Sequence, residues 1–172
     1  MANHTFRGRT PRIGASAFIA PTASLIGDVT VGEHASVFFG ASVRADTSSI
    51  TIGEGTNLQD NVVVHADPGF PAHIGDRVSV GHSAVVHGCT IEDDCLIGMS
   101  ATVMNGAVIG SGSLVAAGAV VLEATVIPPR SLVAGVPAKV RRELNDDEVE
   151  GVKDNAAQYR LLAEEYRHAL TS

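Results

Sequence analysis

An aliphatic residue recurs every six positions along most of this chain. The series runs Ile13, Ile19, Leu25, Val31, Val37 and Val43, then Ile52, Leu58 and Val64, then Ile74, Val80 and Val86, and last Ile91, Ile97, Val103, Ile109, Val115, Val121, Ile127 and Val133. Three changes of frame, at 44–51, 65–73 and 87–90, keep it in phase. Four residues after each aliphatic position the side chain is small: Ala17, Ala23, Ala35, Ala41, Thr56, Ala84, Cys95, Ala101, Ala107, Ser113, Ala119, Thr125 and Ser131, with Val29, Val62 and Val78 the largest. A period of six is a multiple of two but not of 3.6, so it suits strands with alternate side chains turned inward and fits no amphipathic helix. Glycines just after the aliphatic position, such as Gly14, Gly32, Gly53, Gly75, Gly98 and Gly110, predict tight corners between short strands. One such unit cannot bury its own apolar face, whereas stacked coils share a continuous core.

These hexads resemble those of the left-handed parallel β-helix, a three-sided prism with three hexads per coil, over about residues 10–138. Handedness and three-sidedness come from that resemblance. The fold expected is an all-β solenoid over 1–140 followed by a C-terminal α-helix in 141–172. The later segment carries a helical stripe of Val149, Val152, Ala156, Tyr159, Leu162, Ala163, Tyr166 and Leu170, with Asn145 and Glu148 spaced as a capping box. The stripe is expected to pack along the prism or on a neighbouring subunit, and the chain end to cover the last rung.

Three histidines interrupt the aliphatic runs, in "NVVVH" and "VSVGHSAVVHGCTI". Val64 and Val86 are three hexads plus four residues apart, the excess lying in the loop "ADPGFPAH". His65 and His87 therefore stack in successive coils, about 4.8 Å apart at the backbone. Two imidazoles at that separation can share one metal, because Zn–N bonds are about 2.0–2.1 Å long. His82 follows a different column and points away from them. If all three bind one ion, His82 comes from a neighbouring subunit, and a three-sided prism suggests three subunits. The same count puts Arg44 beneath His65 and Asp60 beneath His82, which would set Arg44 against a neighbour's Asp60. His4, His34, His73 and His168 converge on nothing and read as surface residues. Cys89 and Cys95 read as core packing.

Composition narrows the partners. The chain of 172 residues carries a formal charge of −7 with no basic cluster, which argues against nucleic acid. It has no apolar run long enough to span a membrane, and its N-terminus lacks a secretory core, so a cytoplasmic protein is expected.

"RADTSSITIGEGTNLQDNVVVH" followed by "GHSAVVHGCTI" resembles the γ-class carbonic anhydrase family over nearly the whole chain. That resemblance implies a homotrimer holding zinc, or iron or cobalt in its place, through His65 and His87 of one subunit and His82 of the next. It implies reversible hydration of carbon dioxide to bicarbonate by metal-bound hydroxide. It gives interface roles to Arg44, Asp46 and Asp60, a place beside the metal-bound water to Gln59, and roles in the site to Asn57 and Tyr159. The sequence departs from strongly active members in its loop, which is short and holds only Asp67 as an acid, with Thr47 after Asp46. Three alternatives stand beside this reading: a hexapeptide-repeat acyl-CoA transferase, a metal-dependent thioesterase, and a catalytically weak metal-binding assembly subunit.

Overall fold

In the computed structural model, which describes residues 2–170, the hexads form short parallel strands stacked in three columns. The first column rises from the strand Ser24–Val31 to the long strand Ser42–Ile52 and continues through Val63–His65, Val85–His87 and Thr102–Val103 to Val120–Val121. The second leaves the far half of that same strand and runs through Ala72–Ile74, Thr90–Ile91 and Val108–Ile109 to Val126–Ile127. The third climbs from Phe18–Ile19 through Ser36–Val37, Asn57–Leu58, Ser79–Val80, Leu96–Ile97 and Leu114–Val115 to Ser131–Gly135. This is the left-handed parallel β-helix that the hexads resemble.

Register keeps the aliphatic positions superimposed. Val43, Val64, Val86, Val103 and Val121 face one another up the first column. Leu58, Val80, Ile97, Val115 and Val133 do so up the third. Every aliphatic position of the series except Ile13 is buried. Each such side chain contributes about 1.5–3 kcal/mol through removal from water, and the small residues four positions later leave room for it inside the prism.

The glycines act differently from expectation. Gly53, Gly75, Gly98 and Gly110 are not in the left-handed region; the corners there are turned two residues later, by Gly55, Arg77, Ser100 and Gly112, at φ of +64°, +54°, +58° and +65°. What these glycines permit is close stacking. A Cβ on Gly98 would lie 2.5 Å from the Ala117 amide nitrogen of the next coil, and one on Gly110 would lie 2.4 Å from the Pro129 nitrogen.

The C-terminal segment also departs from expectation at its start. Ala138–Glu143 is a strand that folds back antiparallel on Ser131–Gly135, so this strand, and not the helix, covers the last rung of the third column. The helix then runs Asp146–Ala169. Its capping box is formed: the Glu148 amide donates to Asn145 Oδ1 at 2.9 Å, and the Asn145 amide donates to Glu148 Oε2 at 3.0 Å. The helix packs along the third column of its own chain. Val149, Val152, Ala156 and Ala163 are buried, Tyr166 stacks on Phe18, and Tyr159 meets Phe38 edge to face. Leu162 and Leu170 fall outside this face and are 38% and 51% exposed. Among the described residues no helix is long and apolar enough to cross a membrane.

Candidate metal centre

The first column carries two of the three histidines to one place. His65 ends the strand Val63–His65, His87 ends Val85–His87, and the two are paired in register in adjacent coils. Their rings tilt toward each other, with His65 Nδ1 3.0 Å from His87 Nε2. Asp67, at the start of the loop, brings Oδ1 to 3.9 Å from the same His65 nitrogen. Among the described residues His65, Asp67 and His87 are the group whose ligand atoms lie close enough to hold one ion.

The outward side of each ring is tied down. His65 Nε2 lies 3.0 Å from Asp46 Oδ1, and a carboxylate only accepts, so Nε2 carries the proton. His87 Nδ1 lies 2.8 Å from Asn105 Oδ1, which likewise only accepts. With both rings neutral, the nitrogens facing each other across the 3.0 Å gap are therefore bare lone pairs. Two lone pairs so placed repel unless a proton or a metal cation lies between them, and acceptors behind metal-binding imidazoles orient such sites in general. The donor set fits a divalent transition metal.

Arg44, one coil below His65, pairs with Asp46. Burial works to raise the Asp46 carboxyl, but hydrogen bonds from His65 and Arg44 outweigh it and hold the group below the ordinary aspartate range. Thr47 donates its hydroxyl to the Ala66 carbonyl at 2.5 Å, fastening the loop entry beside His65.

His82 follows the third column and stands apart from this pair. Its Nδ1 lies 2.9 Å from Asp60 Oδ2, so the proton sits there, and Nε2 keeps its lone pair 3.4 Å from the Tyr159 hydroxyl. Gln59 is buried beneath: its Oε1 accepts from the His82 amide at 3.2 Å and its Nε2 donates to Asn57 Oδ1 at 3.2 Å. Asn57 in turn donates to Ser79 Oγ at 2.8 Å. Gln59, His82 and Tyr159 line one open groove of about 360 Å³, while Asp67, His87, Asn105 and Glu123 line another of about 320 Å³. The nine residues named from the sequence thus fall into two groups within one chain. His65, His87, Arg44 and Asp46 form one; His82, Asp60, Gln59, Asn57 and Tyr159 form the other.

Relatives of known name are similar to this chain over most of its length. The chain is 58% identical over 146 residues to a protein named probable carbonic anhydrase from Methanocaldococcus jannaschii, covering 85% of this chain and 92% of that one. It is 43% identical over 162 residues to the mitochondrial gamma carbonic anhydrase 2 of Arabidopsis thaliana, covering 91% of this chain and 58% of that longer relative. The chain belongs to the γ-class carbonic anhydrase family. Members of this family are lyases, and the chain is a carbonic anhydrase-like enzyme. The family model "Bacterial transferase hexapeptide (six repeats)" matches residues 88–123, within the γ-class solenoid. A Bacillus cereus crystal structure described as a putative acetyltransferase superposes with a TM-score of 0.96 at 37% identity, covering 98% of each chain.

Two parts of this γ-class site were not read from the sequence. Asn105 lies behind His87 although no hexad position marks it; the one cue was its place a coil beyond His87, in "VMNG". The column count placed Asp60 beneath His82 but directed its carboxylate at a neighbour's Arg44, so the direct contact of Asp60 Oδ2 with His82 Nδ1 within one chain was not read. His4 and His73 are exposed and His34 is half-buried, and among the described residues none of them joins the group that could hold an ion. Cys89 and Cys95 are buried thiols, both pushed up to about 12 chiefly by burial, which suits packing and not chemistry.

Proposed function

We propose that the protein catalyses reversible hydration of carbon dioxide to bicarbonate as a homotrimer, with zinc held between subunits by His65 and His87 of one chain and His82 of the next. One observation carries this reading: each of the three imidazoles has one nitrogen tied to an acceptor and the other left as a lone pair. Two of those lone pairs lie on one face and the third on another, so a single chain presents two incomplete halves. Zinc bound there supplies a Lewis acid that brings a water pKa down to about 7.

The chain's own residues do the rest. Gln59 has one amide N–H committed to Asn57 and a second N–H left to donate to an oxygen of substrate or product. Asn57, fully buried, holds that amide in place. With His82 Nε2 committed to a metal, the Tyr159 hydroxyl beside it would be left to bond within the groove. Arg44 stands between Asp46 of its own chain and the neighbour's Asp60 and ties the subunits beneath the metal.

The test is zinc content per chain in protein purified without chelator, together with carbon dioxide hydration, for wild type and His82→Ala. About one zinc per chain is expected, falling sharply in the variant. Unchanged zinc affinity in His82→Ala would exclude the shared site. A second reading, acyl transfer or thioester hydrolysis on CoA substrates, is favoured by the close superposition on the Bacillus cereus structure described as a putative acetyltransferase. Turnover of acyl-CoA substrates would select it, by metal-free protein for acyl transfer and only by metal-loaded protein for thioester hydrolysis.

A further inference from the structure

We propose that Asn105, itself oriented by Asp67, is a positioning residue that fixes the tautomer of His87 and so turns a bare Nε2 toward the metal. The proposal rests on the reading of His87 as a ligand.

An asparagine side chain alone does not reveal which end carries oxygen; its partners do. One end of the Asn105 amide lies 3.0 Å from Asp67 Oδ2 and the other lies 2.8 Å from His87 Nδ1. A carboxylate accepts only, so the NH₂ must face Asp67 and the carbonyl oxygen must face the imidazole. The carbonyl also accepts only, so the proton of neutral His87 must sit on Nδ1. Neutral imidazole in water prefers the opposite tautomer, with its proton on Nε2, the nitrogen required for the metal. The Asp67–Asn105 pair therefore reverses the intrinsic preference at the atom where it matters.

The surroundings leave room for this contact. Gly88, directly after His87, has φ of +53°, and a Cβ there would fall 2.2 Å from Asn105 Oδ1. The missing side chain is the space that the Asn105 oxygen uses. Phe70 borders the same space, its Cβ lying 2.8 Å from that same virtual Cβ. The short loop thus reaches the site beside His87 through Asp67, which orients the amide. Asp67 keeps its second oxygen toward His65.

Two measurements on the full-length protein test this. The tautomer of His87 in metal-free, ¹⁵N-labelled protein is read from two-bond ¹H–¹⁵N couplings, and zinc affinity from chelator competition. In Asn105→Leu, or Asn105→Ala if the larger side chain prevents folding, the His87 proton should move from Nδ1 toward Nε2, and zinc should bind about 10- to 100-fold more weakly. The exchange Asp67→Asn with Asn105→Asp should restore both, because the new amide donates to the new carboxylate, which still accepts from Nδ1. A structural role alone would not predict that rescue. The proposal is overturned if His87 keeps its Nδ1 proton in the Asn105 variants, or if the exchange restores nothing. Wild-type protein that takes up no zinc would instead overturn the metal reading, and the tautomer measurement would still decide the role of Asn105.

Discussion

His65 Nδ1 and His87 Nε2 face each other at 3.0 Å across adjacent coils, each held from behind by an acceptor, while His82 stands on another column. A shared site makes a prediction that a site within one chain does not. His82→Ala and His87→Ala chains are each defective alone. When the two are unfolded together and refolded, about a quarter of the interfaces should combine an intact His65 and His87 pair with an intact His82. Zinc binding and turnover should return to about that fraction. No recovery in mixtures that exchange subunits would place the whole site within a single chain.

The coil-to-coil glycines give a second expectation. Gly98→Ala would force a Cβ to 2.5 Å from backbone of the next coil, whereas Gly118 has nothing within 4 Å of its virtual Cβ and carries only a φ of +67°. Gly118→Ala should cost about 1–2 kcal/mol, the usual penalty of a left-handed alanine. Gly98→Ala should cost about 3 kcal/mol, since two backbones must part. Urea unfolding followed by circular dichroism, at one fixed chain concentration, compares them. A larger loss in Gly118→Ala would mean that corner strain and not stacking governs these positions.

The solenoid and the pairing of His65 with His87 were legible because both follow from counting. A six-residue period survives insertion at a corner, so Val64 and Val86 stay stacked whatever the loop between them does. Contacts made off the columns could not be counted. Asn105 reaches His87 only through the shortened hexad at Gly88 and a loop whose path the period does not set. The helix stripe was legible as a stripe, but its docking depends on Phe18, Phe38 and Phe39, which lie more than a hundred residues earlier and mark no position in the hexads. The returning strand Ala138–Glu143 escaped for a related reason: its burial pattern is almost wholly exposed and shows no alternation to read.

Acid should loosen the helix entry within a definite window. Hydrogen bonding from Arg142, and next from the Asn145 amide, holds the Glu148 carboxyl at about 2 in the folded chain against an ordinary 4.5. A depressed folded value means that the unfolded chain binds the proton more readily. The contribution of this carboxylate is therefore complete above about 4.5, shrinks as pH falls, and is gone near 2. Glu148→Gln should be less stable than wild type at about pH 6, and the gap should narrow by about pH 3.5. Denaturant unfolding of both at the two pH values measures it, and a gap that widens on acidification would refute the Arg142 pairing.

Proton export should limit the proposed hydration reaction. Hydration releases a proton for each bicarbonate, and a side chain that carries it outward needs a free acid–base atom near the site. Asp67 is the one acid in the short loop, and its Oδ2 is already occupied by the Asn105 amide. Thr47 has no charge to offer, and its hydroxyl is committed to the Ala66 carbonyl. Glu123 lines the same groove as His87 but lies two coils further along the first column. External buffer should therefore substitute for a missing carrier. At saturating carbon dioxide, kcat should rise with imidazole concentration and level off, while kcat/KM stays flat, because carbon dioxide capture precedes proton release. A kcat independent of buffer would show that the chain exports protons unaided, and Glu123→Gln would then be the variant to test for that route.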